Sequence, residues 1–154
     1  MKAAALDWEA SRPHEVGVAL AAIQIDQPYR IIVIRNDFDN KDDKTFAVFI
    51  NPEIVKREGE VQEDYEGCLS VEDIYGKVPR YAKVRMRALD EQGRQVRVRA
   101  EGFLARVIQH ELDHLSGKLF VDLIENKPEA FYKLLPDGKL INIAPEEVEK
   151  ALSK

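Results

Sequence analysis

Cysteine occurs once in the 154 residues, at Cys68, so no intramolecular disulfide can form, and a reducing compartment such as the cytoplasm is expected. No run of about eighteen apolar residues is present, which excludes a transmembrane helix. Met1 to Glu15 lacks an apolar core flanked by basic residues and a cleavage site, so no secretory signal is expected. Positive charge is not in excess: 23 Lys and Arg face 28 Asp and Glu, and the net charge of −5 argues against broad nucleic-acid binding. Internal repeats, low-complexity tracts and linker-like boundaries are missing as well. What remains is 45% hydrophobic and 33% charged, the balance of a globular protein. The length suffices to bury a core, and one domain over residues 1–154 is expected.

Histidine is scarce too, and two of the three histidines lie in Gln109-His110-Glu111-Leu112-Asp113-His114. Leu104, Val107, Ile108, Leu112 and Leu115 recur at spacings of three and four, which predicts a helix that Gly117 stops. Four residues apart, His110 and His114 share one face of that helix and can reach a single metal ion. Glu111 points beside the ion, where it can hold a water and move its proton. The plainer alternative is a core helix with a histidine at each end.

Met1 to Ala10 reads as a short helix anchored by Leu6 and Trp8, interrupted by Pro13. Gly17 to Gln24 is small and apolar, fit for close backbone packing or approach to a ligand. Tyr29 to Arg35 reads as a buried strand, Thr45 to Ile50 as a second, closed by Asn51-Pro52, and Glu53 to Val61 as a third. Asn36 to Lys44 and Gln62 to Tyr65 read as polar connections. Tyr81 to Ala100 is the clearest hairpin: Val84, Met86 and Ala88 alternate with charges, Asp90 to Gly93 turns, and Val96, Val98 and Ala100 alternate back. Its outward Lys83, Arg85, Arg87, Arg97 and Arg99 form a basic face with no interleaved aromatics, which favours a solvated edge over a nucleic-acid site. Leu119 to Ile124 is apolar, Pro136-Asp137-Gly138 turns, and Pro145 to Leu152 forms a last helix within a tail over 145–154. The fold class expected is α+β, with antiparallel strands packed around a central HExxH-bearing helix.

Two imidazoles need a third protein ligand. Cys68, in Glu66-Gly67-Cys68-Leu69-Ser70, is soft and turn-placed, with Gly67 free to turn the thiol inward. Glu125, Asp113 and His14 are alternatives. One thiolate and two imidazoles leave a fourth position open, as catalytic rather than structural sites do. A metal there would keep Cys68 deprotonated and lower the pKa of a bound water, with Glu111 as general base.

These motifs resemble those of the peptide deformylases, in the order that family shows them: Gly17 to Gln24, Glu66 to Ser70 and Gln109 to His114. The likeness extends over roughly Val16 to Leu123, including Val78-Pro79-Arg80. It implies a metal-dependent hydrolase that removes the N-formyl group from N-formylmethionyl peptides of nascent proteins and releases formate. Cys68, His110 and His114 would hold one divalent ion, ferrous iron in the cell, with zinc, nickel or cobalt in its place in preparations. Metal-bound hydroxide would attack the formyl carbon with Glu111 as base and acid. The Gln24 amide and the Leu69 N–H would face the oxyanion. Gly17, Val18, Ala19, Val71, Val107 and His110 would form the methionine slot, with the stem of Arg106 covering it and its charge reaching water. A Glu66–Arg80 ion pair would brace the strand carrying Cys68. A transient contact with the ribosome, a monomeric state, no membrane and no sequence-specific nucleic-acid binding are also expected. Outside the resemblance, the competing readings are an HExxH metallopeptidase, or a relative with this fold and reduced or no activity.

The first motif departs from the family at Ala19, where a glycine is usual, and at Ile23, where a proline is common. Ala19 is harmless if its φ is negative and costs about 1 kcal/mol if φ is positive. Only sixteen residues precede Gly17, fewer than in the family. Some covering of the core is therefore expected to be absent, supplied by a partner chain, or replaced by the Leu6–Trp8 segment. A monomer less stable than a full-length relative, with an unfolding midpoint below about 65 °C, is expected.

Overall fold

The computed structural model describes residues 1–12 and 15–153. Pro13 and His14, one of the candidate third ligands, lie outside the described residues, as does Lys154. The chain divides into two compact units, Met1–Glu60 with Tyr81–Gly117, and Val61–Arg80 with Lys118–Lys154. Among the described residues, antiparallel strand pairs are accompanied by three α-helices, an α+β fold.

In the first unit, β-branched side chains build the sheet and alanines let it be covered closely. Strand β1 (Ala19–Ala21) pairs with β2 (Ile31–Arg35) at Leu20↔Val33, and β2 pairs with β3 (Phe46–Cys68) at Val33↔Val48. Tyr29 and Arg30, expected inside the strand, are exposed and precede it. The second and third expected strands, and the polar connection after them, are one strand of 23 residues. The break expected at Asn51-Pro52 is absorbed locally. Asn51 takes φ 50° while its N–H donates to Arg30 O at 2.7 Å, and Gly59 takes φ 77° further along. A strand can thus kink without ending.

Strand β4 (Val71–Leu89) folds back into β5 (Gln95–Glu101) with Val84↔Ala100, Met86↔Val98 and Ala88↔Val96 in register, as the alternation predicted. The Asp90 carboxylate accepts from Gln92 N–H and Arg94 N–H at 2.9 Å each and closes the turn, with Gly93 at φ 78°. Helix α2 (Gly102–Leu115) follows and ends before Gly117, which takes φ 75°. Its Ala105, Val107 and Ile108 pack on Ala19, Ala21, Ile32, Ile34, Val84, Met86 and Ala100. Burying a side chain such as Ile32 or Ile108 stabilises by about 1.5–3 kcal/mol.

Helix α1 (Lys2–Ala10) forms where expected, but its anchors differ. Ala5 and Glu9 are buried, whereas Leu6 and Trp8 are half-buried. Ala5 is inward because the chain returns across it: a Cβ on Gly17 would stand 2.4 Å from Ala5 O. Glu9 is inward because Arg35, fully buried at the end of β2, pairs with it. The guanidinium also donates to Asp43 O (2.7 Å) and Lys41 O (3.1 Å), while Glu9 accepts from Gly17 N–H (2.9 Å).

In the second unit, the first part of β4 pairs with β6 (Phe131–Leu134) at Tyr75↔Tyr132, and β6 pairs with β7 (Leu140–Asn142) at Lys133↔Ile141. The expected Pro136–Gly138 turn joins these two strands, which the sequence did not announce. Helix α3 (Pro145–Leu152) has the expected bounds and buries Val148. The core holds Val71, Ile74, Val78, Phe120, Val121, Ile124, Phe131, Ile143 and Val148, so the apolar stretch after Gly117 is inside except for the exposed Leu123 and the half-buried Leu119. No helix among the described residues is long and apolar enough to cross a membrane.

Candidate functional site

Helix α2 positions both imidazoles. His114 is buried and His110 half-buried, with their Nε2 atoms 3.1 Å apart and the rings edge-to-face at 75°. Two imidazoles bound to one tetrahedral ion, with bonds of about 2.0–2.1 Å, hold their nitrogens about 3.3 Å apart. The observed pair fits a shared ion with a small opening of the side chains.

The helix is fixed next to these rings by a residue to which sequence reading gave no role. Gln109 is buried, accepts from Tyr81 N–H at 3.1 Å, and donates to Tyr81 O and Ala105 O at 2.9 Å each. Its carboxamide ties α2 to β4 one residue before His110. Its signals in the sequence are its place at the head of the Gln109–His114 motif and an amide inside an otherwise apolar helical stripe.

Cys68 ends β3, is free of any disulfide and half-buried, and its sulfur accepts from Ser70 N–H at 3.4 Å. The glycine before it is needed for packing rather than for turning. Gly67 has no positive φ, and a Cβ there would stand 2.5 Å from the Tyr75 ring. Arg80 grips the buried Glu66 with two bonds, Nε–Oε1 at 2.8 Å and Nη2–Oε2 at 3.0 Å, the pair expected on this strand.

Cys68, His110 and His114 form a group whose ligand atoms all lie within 4.8 Å of one another. Among the described residues neither Asp113 nor Glu125 joins it. The donor set, one soft thiolate and two imidazoles, suits zinc or a late first-row divalent ion.

The other expected site residues are placed as follows. Glu111 is buried on α2, between the imidazoles in sequence. Gln24 is half-buried in the 3-10 turn Ala22–Ile25, its carbonyl oxygen accepting from Ala21 N–H at 2.9 Å. Leu69 is half-buried in the turn between β3 and β4. Gly17 is buried, and Val18, Ala19 and Val107 share one core, whereas Val71 belongs to the core of the second unit. Ala19 is extended in β1 and its φ is not positive, so the methyl replacing the usual glycine hydrogen costs no backbone strain. Arg106 departs from expectation: it is buried, 6% exposed, and does not carry its charge out to water.

An antiparallel α+β fold that carries a thiol and two imidazoles able to share one ion, on an HExxH helix, defines a class of candidate metal-site proteins. Comparison with known proteins narrows it. The polypeptide deformylase family profile matches residues 2–129. The chain is 46% identical over 133 residues to a peptide deformylase of Thermomicrobium roseum, covering 84% of this chain and 73% of that protein. It is 48% identical over 111 residues to peptide deformylase 1 of Pseudomonas syringae pv. tomato, covering 71% and 64%. Among solved structures, a peptide deformylase from Legionella pneumophila aligns with a TM-score of 0.67 and 39% identity over 90% of this chain and 68% of that one. One from Synechococcus elongatus, in complex with actinonin, aligns with a TM-score of 0.67 and 42% identity over 72% and 60%. The chain belongs to the polypeptide deformylase family. It spans between about three fifths and three quarters of the length of these relatives.

Proposed function

We propose that the chain is a metal-dependent amidase that removes the formyl group from N-formylmethionyl peptides of nascent proteins and releases formate. The observation that carries this reading is the grouping of Cys68, His110 and His114 within 4.8 Å, with Glu111 buried next to the first imidazole in sequence. Residues 1–154 would act as one domain organised around α2. Those three side chains would hold the ion, ferrous iron on this reading, with zinc, nickel or cobalt able to replace it. When bound, the ion supplies a Lewis acid that makes water acidic near neutral pH.

The remaining chemistry falls to the chain's own residues. Glu111 takes the proton of the attacking water on a carboxylate oxygen and hands it to the peptide nitrogen as the formyl C–N bond breaks. Gln24 has its carbonyl end held by Ala21 N–H, so its NH2 end is the donor directed to the developing oxyanion. The Leu69 N–H is the second donor, and each such bond is worth about 3 kcal/mol in the transition state. Gly17, Val18, Ala19, Val71 and Val107 would form the slot for the methionine side chain. The substrate would be met at the ribosome, transiently, by a monomer in the cytoplasm.

The test is formate release from formyl-Met-Ala-Ser by protein loaded with ferrous iron or nickel, with acetyl-Met-Ala-Ser left intact. Cleavage of internal peptide bonds, or no formate from the loaded protein, overturns the reading. Glu111→Gln is expected to keep the metal and lower kcat by about 10²–10⁴.

A further inference from the structure

The β4–β5 hairpin sets arginines directly opposite one another, Arg85 against Arg99 and Arg87 against Arg97. Like charges facing across a strand pair destabilise it. Two of the four are compensated, Arg85 by Glu58 at 3.0 Å and Arg87 by Glu53 at 2.7 Å. Arg97 and Arg99 are exposed, and among the described residues neither has a carboxylate partner. The four arginines, with Val55, Met86 and Val98, line a hollow of about 320 Å³. Arg87 and Arg97 also line a second hollow of about 170 Å³.

Alternation explains the array. Val84, Met86, Ala88 and Ala100 are buried, so the intervening arginines stand on the opposite face. Along a strand they are about 6.6 Å apart, two residues' rise. Across the pair the backbones are about 4.5–5.5 Å apart. A solvated edge needs charge, but it does not need arginine facing arginine twice.

We propose that this face is a docking surface for the phosphate backbone of double-stranded RNA. Guanidinium groups pair with phosphate oxygens bidentately, and an array with two unmatched cations is complementary to a polyanion. No aromatic side chain lies among the arginines, so base stacking on a single strand has no platform. A duplex, held through its backbone and shape without sequence reading, fits what is present. The choice of RNA over DNA rests on the proposed function, because a formylated nascent peptide is a product of translation. The chain's net charge of −5 keeps the interaction local and salt-sensitive.

The experiment is fluorescence anisotropy of a labelled RNA hairpin with a stem of about 16 base pairs against the full chain at several salt concentrations. Arg97→Ala/Arg99→Ala is expected to weaken binding at least about tenfold and to reduce the slope of log affinity against log salt by about 2. Arg97→Lys/Arg99→Lys keeps most of that slope. No binding at low salt, an unchanged slope, or equal affinity for a DNA duplex or polyglutamate overturns the proposal. Thermal melting of the double alanine variant is expected to be unchanged or raised, since like charges are removed. A lowered midpoint would assign the two arginines to the fold and overturn the proposal as well. Formate release is unchanged in both variants, so loss of RNA binding and loss of deformylation are read separately.

Discussion

Arg35 in the first unit and Arg80 in the second are both buried and both paired with a buried glutamate, yet they are held differently. Arg80 directs Nε and Nη2 at the two oxygens of one carboxylate, Glu66, two residues before Cys68. Arg35 divides its donors among Glu9, Asp43 O and Lys41 O, while Glu9 also accepts from Gly17 N–H. The first arrangement orients one strand end beside the thiol. The second joins α1, β2 and the loop that carries Lys41 and Asp43. Buried ion pairs seldom repay their desolvation over a well-packed apolar substitute, so retaining them here is consistent with setting geometry rather than adding stability.

Removing one partner separates the two roles, and this is the largest effect expected. Arg35→Met leaves Glu9 buried without its guanidinium and should cost about 3–5 kcal/mol, read from urea denaturation. The metal content of the folded protein should not change. Arg80→Met should cost a similar amount, and should in addition lower metal affinity by about 10–100-fold, as loss of a group supporting a ligand does. If both variants weakened metal binding equally, the division of labour would be wrong.

These two pairs also mark what could be read from the sequence. Glu66 and Arg80 lie inside recognisable motifs, so their pairing was expected. Glu9 and Arg35 are 26 residues apart in stretches that carry no motif, and an arginine closing an apolar run looks like a strand leaving the core. Helices α2 and α3 and the β4–β5 hairpin were legible because periodicity, caps and turn residues agreed. Strands β6 and β7 were not, because four and three residues are too few to show alternation. Strand β3 was split in the reading because Asn51-Pro52 is ordinarily a stop, and only the Arg30 carbonyl shows that the kink is held. The candidate ligand trio was visible as residue types, whereas the Gln109 clamp needs Tyr81 in space.

Acid titration sharpens the comparison at a smaller magnitude. The Arg35 guanidinium bonded to Glu9 holds its carboxyl below the ordinary value of 4.5, against the opposing effect of burial. A lowered folded-state pKa means that the stabilisation is complete above about pH 4.5 and is lost as pH falls through the folded value. Glu9→Gln should therefore lower stability at pH 7 by about 1–3 kcal/mol while flattening its decline below pH 4.5. An acid limb with the same slope in the variant would show that other carboxylates govern it.

Two of the close-packed glycines, Gly17 and Gly67, give the finest distinction. Gly17 donates its N–H to Glu9, and a Cβ there would meet Ala5 O, a backbone atom in α1 that can move only with its helix. Gly67 stands next to Glu66, and its Cβ would meet the Tyr75 ring, a side chain that can swing. Overpacking costs about 1–3 kcal/mol, and the fixed neighbour should put Gly17→Ala near the top of that range and Gly67→Ala near the bottom. The sites differ again in what they disturb. Gly17→Ala displaces α1 and should loosen the Glu9–Arg35 pair, so adding Glu9→Gln should cost less than it does alone, a coupling that a double-mutant cycle measures. Additive losses would mean that α1 shifts without opening the pair.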